Sequence, residues 1–154
     1  MAAEPSSTRR GVAAARTALA VVLHVTTGSR VVVITDESRA EVARTFVQGA
    51  IELGARVATY TLREDARPLS DVPADLLAAC ANADAIVNAL EGRAAETPFR
   101  VSLLDQQMKL GARIGHAPGI TLAMMTDGAM QVDYRAMADQ AASLALLLGP
   151  AGRA

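Results

Sequence analysis

A histidine stands at the end of a short apolar segment, immediately before a sharp corner. The stretch from Ala112 to Thr121 passes through His116 and then breaks at Pro118 and Gly119. An imidazole at the end of a strand can transfer a proton or bind a ligand near neutral pH. The same side chain can also hydrogen-bond the exposed backbone of a strand-to-helix turn. We favour this structural role for His116, with contact to a ligand or substrate as the alternative.

Polar side chains also follow two other apolar segments, namely Thr35, Asp36, Asn88, Glu91 and Arg93. Asp36 and its neighbour Glu37 have the composition of an acid–base pair, but Asp36 is also a natural N-cap residue, and we favour the cap. Glu91 and Arg93 lie in a polar stretch, where a solvated ion pair is favoured over substrate contact. Together with His116, these residues are the candidate rim of a substrate or partner site.

The motifs that hold common cofactors are absent from the sequence. The first β-branched run leads into Thr35–Ala40 without a glycine-rich turn, and its two acidic side chains would repel a pyrophosphate. The two histidines, His24 and His116, have no second ligand at the spacing a metal site needs. We therefore assign no catalytic residue, no metal ligand and no cofactor to this chain.

Apolar periodicity places the candidate rim on an alternating series of strands and helices. Strands are predicted over 30–35, 56–62, 84–90 and 112–116. Helices are predicted over 8–25, 38–54, 73–81, 97–111, 122–126 and 133–148, the second opened by a capping box of Ser38 and Glu41. This alternation predicts an α/β fold: a three-layer, mostly parallel four-stranded sheet with helices on both faces, of the Rossmann or flavodoxin type. The domain spans 8–149, between a disordered tail, 1–7, and a linker-like tail, 150–154.

Composition narrows the class of protein. The 154 residues suit a single domain, and a net charge of −1 offers no basic field for nucleic acid. One cysteine, Cys80, predicts a buried thiol and a reducing cytoplasm, and no apolar run is long enough to cross a membrane. Five methionines form a loose series that predicts core filling, or alternatively an apolar patch against a partner: Met108, Met124, Met125, Met130 and Met137.

Three segments together resemble the aminopeptidase T-like metallopeptidases, a family with dihydroxypyridine dioxygenase relatives. They are Gly111–Thr121, the run Met-Met-Thr-Asp-Gly-Ala-Met at 124–130, and Val132-Asp-Tyr. The family similarly has a Pro-Gly-Ile/Val-Thr corner after a short strand and an Asp-Tyr at a helix start. The opening segment 31–37, followed by a helix ending in Glu-Leu-Gly-Ala at 52–55, is also similar, so that the resemblance covers about 10–149.

The resemblance implies an N-terminal domain that walls a cleft and contributes to subunit contacts. The family's metal ligands lie in a second, larger domain, so none is carried over to this chain, and its strand end Asn88–Arg93 departs from the Ser/Thr-rich family pattern. We expect a cleft-forming domain that binds a small molecule or peptide, inactive alone, with a divalent metal in a partner domain or subunit. A split enzyme, a homo-oligomer and a free-standing binding or scaffolding module remain open.

Overall fold

A computed structural model describes residues 6–149 of the chain. The predicted tails, 1–7 and 150–154, lie outside the described residues except at Ser6 and Ser7. Ser6 is the N-cap of the first helix, and its hydroxyl oxygen accepts a hydrogen bond from the Arg9 N–H. The helix therefore begins at Ser7, one residue before the predicted start.

The described chain alternates between helices and strands as the apolar pattern predicts. The strands are β1 Arg30–Thr35, β2 Arg56–Thr61, β3 Ala85–Ala89 and β4 Arg113–His116. The helices are α1 Ser7–Val21, α2 Ala40–Glu52, α3 Ala74–Cys80, α4 Thr97–Met108, α5 Leu122–Thr126 and α6 Tyr134–Leu148. Short 3-10 turns follow β1, β2 and β3, at Glu37–Arg39, Glu64–Ala66 and Ala94–Glu96.

All four strands are parallel, in the order β2-β1-β3-β4. Val33 of β1 is paired with Thr59 on one side and Val87 on the other, so β1 is a central strand. The chain passes from β1 to β2 on one side and then crosses to β3 on the other. The point at which strand order reverses therefore lies between β1 and β3, where ligands bind in many sheets of this type.

The sheet is covered on both faces, which explains why β1 is an uninterrupted apolar run. Val31 and Val33 pack with α1, α2 and α5, whereas Val32 and Ile34 pack with α3 and α4. Leu19 belongs to the core on the α1 side of the sheet and Phe99 to the core on the α3 side. Neither side chain is accessible to solvent. The predicted three-layer α/β fold is confirmed.

Two helix starts test the capping predictions. The predicted capping box of Ser38 and Glu41 is wrong, because α2 begins at Ala40 without a side-chain cap and Glu41 is exposed. Asp36 instead caps the 3-10 turn before α2, as the favoured reading of that residue predicts. Asp133 caps α6 as expected, accepting hydrogen bonds from the N–H groups of the second and third helical residues.

The methionine series divides between the core and the surface. Met125 is fully buried and Met130 packs against the same core, so core filling is confirmed for these two. Core filling is wrong for Met108, Met124 and Met137, whose side chains are exposed. All three lie on helices in the last third of the chain.

The last helix, α6, is the least covered element of the described chain. It contacts α1, and although Tyr134 is partly buried, every residue from 135 to 147 is exposed. Leu144, Leu146 and Leu147 are 58%, 84% and 81% exposed. None of the described helices combines the length and apolar character needed to cross a membrane.

Candidate functional site

The six predicted rim residues gather at the carboxyl edge of the sheet, in two hydrogen-bonded groups. Thr35, Asp36 and Asn88 are buried, whereas the other three are partly exposed. Asp36 is joined to Glu91 through the Glu91 N–H, which donates to Oδ2 at 2.6 Å. Asn88 is joined to His116 through their side chains. The strand ends therefore meet as predicted, but half of the rim faces inward.

Asp36 is a buried carboxylate at the reversal point between β1 and β3. Its Oδ1 accepts hydrogen bonds from the Ser38 hydroxyl and the Arg39 N–H, at 2.7 and 3.1 Å. Burial alone would raise the pKa of Asp36, but hydrogen bonds from Glu91, Ser38 and Arg67 outweigh it and hold the pKa below its ordinary value. The carboxylate is thus kept ionised and fully engaged.

Arg67 fills the space beside Asp36. Its guanidinium is inaccessible to solvent and bonds Asp36 Oδ2 at 2.8 Å, Glu64 Oε1 at 3.1 Å and both oxygens of Glu96. Glu96 is itself buried and also accepts the Leu69 N–H at 3.0 Å. The paired Arg67 holds the pKa of Glu96 below its ordinary value, and Glu96 in turn raises the pKa of Arg67.

Arg93 extends this cluster toward the surface. Its Nε lies 2.6 Å from Glu91 Oε2 and its Nη2 lies 2.7 Å from Glu64 Oε2. The ion pair of Glu91 and Arg93 is confirmed, with each side chain about one-third exposed rather than freely solvated. Glu91, followed by Glu64, raises the pKa of Arg93.

The cluster lies at the edge where a ligand of a parallel sheet ordinarily binds. It holds four carboxylates against two guanidinium groups, so negative charge is in excess. Such a field repels phosphate groups, in agreement with the absence of a glycine-rich turn after β1. The charged groups of the cluster therefore pair with one another within the chain.

Asn88 leads a second, separate polar group on the α4 side of the sheet. Its amide forms a reciprocal pair with the amide of Gln107, with Asn88 Nδ2 2.7 Å from Gln107 Oε1 and Gln107 Nε2 3.1 Å from Asn88 Oδ1. Both side chains are fully buried. The pairing fixes the orientation of the Asn88 amide and leaves its second N–H directed toward His116 Nδ1, 3.3 Å away.

His116 is therefore held as the neutral tautomer that carries its proton on Nε2. Burial, followed by the positive charge of Arg100, lowers the pKa of His116 from its ordinary value. Among residues 6–149, its Nε2 has no hydrogen-bond partner. The favoured prediction, a hydrogen bond from His116 to the backbone of the following turn, is wrong, because within residues 6–149 the ring bonds only the Asn88 side chain. The half-buried imidazole can still donate one hydrogen bond to an acceptor at this edge, and contact with a ligand or substrate stays a prediction.

The two remaining candidate groups are not rim residues, although the Cys80 Sγ lies 4.0 Å from Gln107 Nε2. Cys80 is buried as expected, and burial raises the pKa of its thiol, which disfavours the nucleophilic thiolate. His24 is exposed just beyond α1. Across the described part of the chain, no three His, Cys, Asp or Glu side chains are grouped so that they could hold a metal ion.

Four residues that organise the edge are absent from the predicted rim: Glu64, Arg67, Glu96 and Gln107. Segment 63–72 lies between a predicted strand and a predicted helix, and nothing in its pattern separates Arg67, whose side chain is buried, from the exposed Arg63. The strand order is the signal that could have identified these residues. The connections after β2 and β3 flank the end of β1 when the order is 2-1-3, so opposite charges in those connections meet Asp36.

Comparison with models of protein families gives no match to this chain, and neither does comparison with curated proteins.

Proposed function

We propose that this chain is a cleft-forming, substrate- or partner-binding α/β domain of a metal-dependent, aminopeptidase-like or ring-cleaving assembly. The metal and its ligands belong to a second domain or subunit, and this chain is inactive alone. The assembly works in the cytoplasm. The similarity of segments 111–121, 124–130 and 132–134 to the aminopeptidase T-like family motivates the choice of chemistry.

The observation that carries the binding role is the exposure of α6. Leu144, Leu146 and Leu147 are more than half exposed, and every residue from 135 to 147 is exposed. A helix of this length gains little stability in water from its backbone alone and depends on packing of its apolar face. A partner surface that covers these leucines supplies that packing, with burial of each side chain contributing about 2 kcal/mol.

The state of the carboxyl edge supports a non-catalytic role for the chain. Asp36, Glu64 and Glu96 are each bonded to Arg67, so these carboxylates are occupied in holding three connections together. His116 retains one hydrogen-bond donor at the same edge. An edge of this kind can orient a bound group, while the atoms that carry out the reaction come from the partner.

Native purification tests the proposal. The tagged full-length chain is expressed in the cells that produce it naturally, purified, and assayed for bound divalent metal and for hydrolysis of an aminoacyl p-nitroanilide. We expect wild type to retain metal and activity through its partner, and Leu146→Glu/Leu147→Glu to lose both. Ala58→Glu/Thr59→Glu, at two exposed positions of strand β2, also adds two negative charges; it is the charge-matched control and keeps both.

Two results would contradict the assembly. Metal and activity that persist undiminished in the Leu146→Glu/Leu147→Glu variant would remove α6 from the contact. A partner that is retained through α6, but brings neither metal nor hydrolase nor ring-cleaving activity, would instead favour the free-standing scaffolding module.

A further inference from the structure

An apolar pocket of about 230 Å³ lies on the α1 side of the sheet, against β3 and β4. Its walls include Leu19, Leu23, Phe46, Val87, Ile120 and Met130. His116 also borders the pocket. Because neighbouring strand residues point to opposite faces, its imidazole lies with Asn88 on the other side, and its main chain forms this part of the wall.

Gly115 leaves room for the pocket. A Cβ at this position would lie 3.2 Å from Leu23 Cδ1, closer than side chains ordinarily pack. Gly115 does not have a positive φ, so the backbone does not require glycine here. The missing side chain instead keeps the space between β4 and Leu23 open, in the middle of an otherwise covered sheet.

Tyr134 borders the pocket and carries a phenol hydroxyl. It is the first residue of α6, is partly buried and lines the same space. No residue within 6–149 hydrogen-bonds its hydroxyl. Burial raises the pKa of Tyr134, so the phenol is neutral at physiological pH and can donate or accept one hydrogen bond.

We propose that this pocket binds a small apolar molecule, about the size of one six-membered ring, whose single polar group is hydrogen-bonded by Tyr134. Size excludes a helix as occupant, since a helix with its side chains is about 10 Å across. An apolar cavity of about 150 Å³ in another protein is known to hold benzene. Walls that offer few hydrogen bonds hold water poorly, which favours an apolar occupant. The inference does not depend on the proposed metal-dependent assembly.

Binding of two matched probes to the full-length chain tests this site. Fluorobenzene and 4-fluorophenol are titrated separately and followed by ¹⁹F NMR and by amide shifts of the protein. We expect saturable binding of both, with the largest amide shifts at Gly115, Ala117 and Met130. The phenol binds about fivefold more tightly, because it alone forms the hydrogen bond to Tyr134.

Different substitutions test the hydrogen bond to Tyr134 and the volume of the pocket separately. Tyr134→Phe is expected to remove the advantage of 4-fluorophenol and leave fluorobenzene unchanged, while Tyr60→Phe, on the opposite face of the sheet, changes neither. Gly115→Ala and Ala117→Leu, which fill the pocket, are expected to weaken both probes about tenfold. Gly92→Ala is the control for Gly115→Ala, since a Cβ there meets only ordinary contacts, the nearest at 3.5 Å.

Three results would overturn the proposal. The first is a lack of saturable binding of either probe up to its solubility limit. The second is equal weakening of both probes by Tyr134→Phe. The third is unchanged affinity in Ala117→Leu and Gly115→Ala. Thermal unfolding of each variant is recorded beside the titrations, and Ala117→Leu provides the filling test on its own if Gly115→Ala does not fold.

Discussion

The guanidinium of Arg67 lies between the carboxylates of Asp36 and Glu96, with Nη1 2.8 Å from Asp36 Oδ2 and Nε 2.9 Å from Glu96 Oε1. All three side chains are almost completely inaccessible to solvent. Asp36 follows β1, Arg67 follows β2 and Glu96 precedes α4. One buried group of charges thus joins the connections that leave three neighbouring strands.

Removing the central cation should destabilise the fold strongly. In Arg67→Met, two buried carboxylates lose their partner, and we expect the free energy of unfolding to fall by about 3–5 kcal/mol. The measurement is urea unfolding followed by circular dichroism. The control is Arg63→Met, since Arg63 pairs with Asp65 on the surface and its loss should matter little. Equal effects of the two substitutions would contradict the account.

The same cluster predicts a dependence of stability on pH. The pKa values of Asp36 and Glu96 are lowered in the folded chain, so their stabilisation is present above the unfolded-state pKa, near 4, and is lost as the pH falls through the folded-state values. We therefore expect the difference in unfolding free energy between wild type and Arg67→Met to shrink from about pH 5 to about pH 3. A difference that stays constant over this range would show that the pairing does not hold these carboxylates ionised.

The paired amides of Asn88 and Gln107 predict a coupling that a double-mutant cycle can measure. Asn88→Leu or Gln107→Leu alone leaves a buried amide without its partner and should cost about 1–3 kcal/mol of unfolding free energy. The double variant should cost clearly less than the two single changes together. Gln48→Leu is the control, because the Gln48 amide is exposed. Strict additivity in urea unfolding would mean that the amides act independently.

His116 should have its proton on one defined nitrogen and a lowered pKa. Nitrogen-15 NMR should show His116 with its proton on Nε2 and a pKa below 6.5, since burial and Arg100 both disfavour the imidazolium. Arg100→Gln removes the positive charge and should raise the pKa of His116, whereas Arg9→Gln, at an exposed position on α1, is the control and should leave the pKa of His116 unchanged. A His116 that titrates above 6.5 in wild type, or ignores Arg100→Gln, would contradict this geometry.

The sequence predicts the sheet and the residues at its carboxyl edge better than it predicts the burial and pairing of their side chains. Continuous β-branched residues in 31–34 require cover on both faces, so the three-layer fold follows from a local pattern. The cap made by Asp36 is also local, and so is the cap made by Asp133. Each depends on residues within a few positions of one another, which is the range over which a single sequence carries a reliable signal.

The sequence does not predict which residues distant along the chain form ion pairs or hydrogen bonds. Arg67 and Glu96 are 29 positions apart, and Asn88 and Gln107 are 19 apart, so each pair exists only because of strand order and helix packing. Arg63 lies in the same charged segment as Arg67, yet its side chain is exposed. The burial of Arg67 comes from insertion between the ends of β1 and β3, which no periodicity in residues 63–72 records.

Amide hydrogen exchange across α6 tests the central claim most directly. The full-length chain is measured alone, as a protein of 16.0 kDa, and again in the assembly purified from its natural cells. If α6 is the partner surface, amides 138–147 should exchange readily in the isolated chain and at least about tenfold more slowly in the assembly, while β1 and β3 remain protected in both. Strong protection of α6 in the isolated chain, or no change on assembly, would contradict the claim.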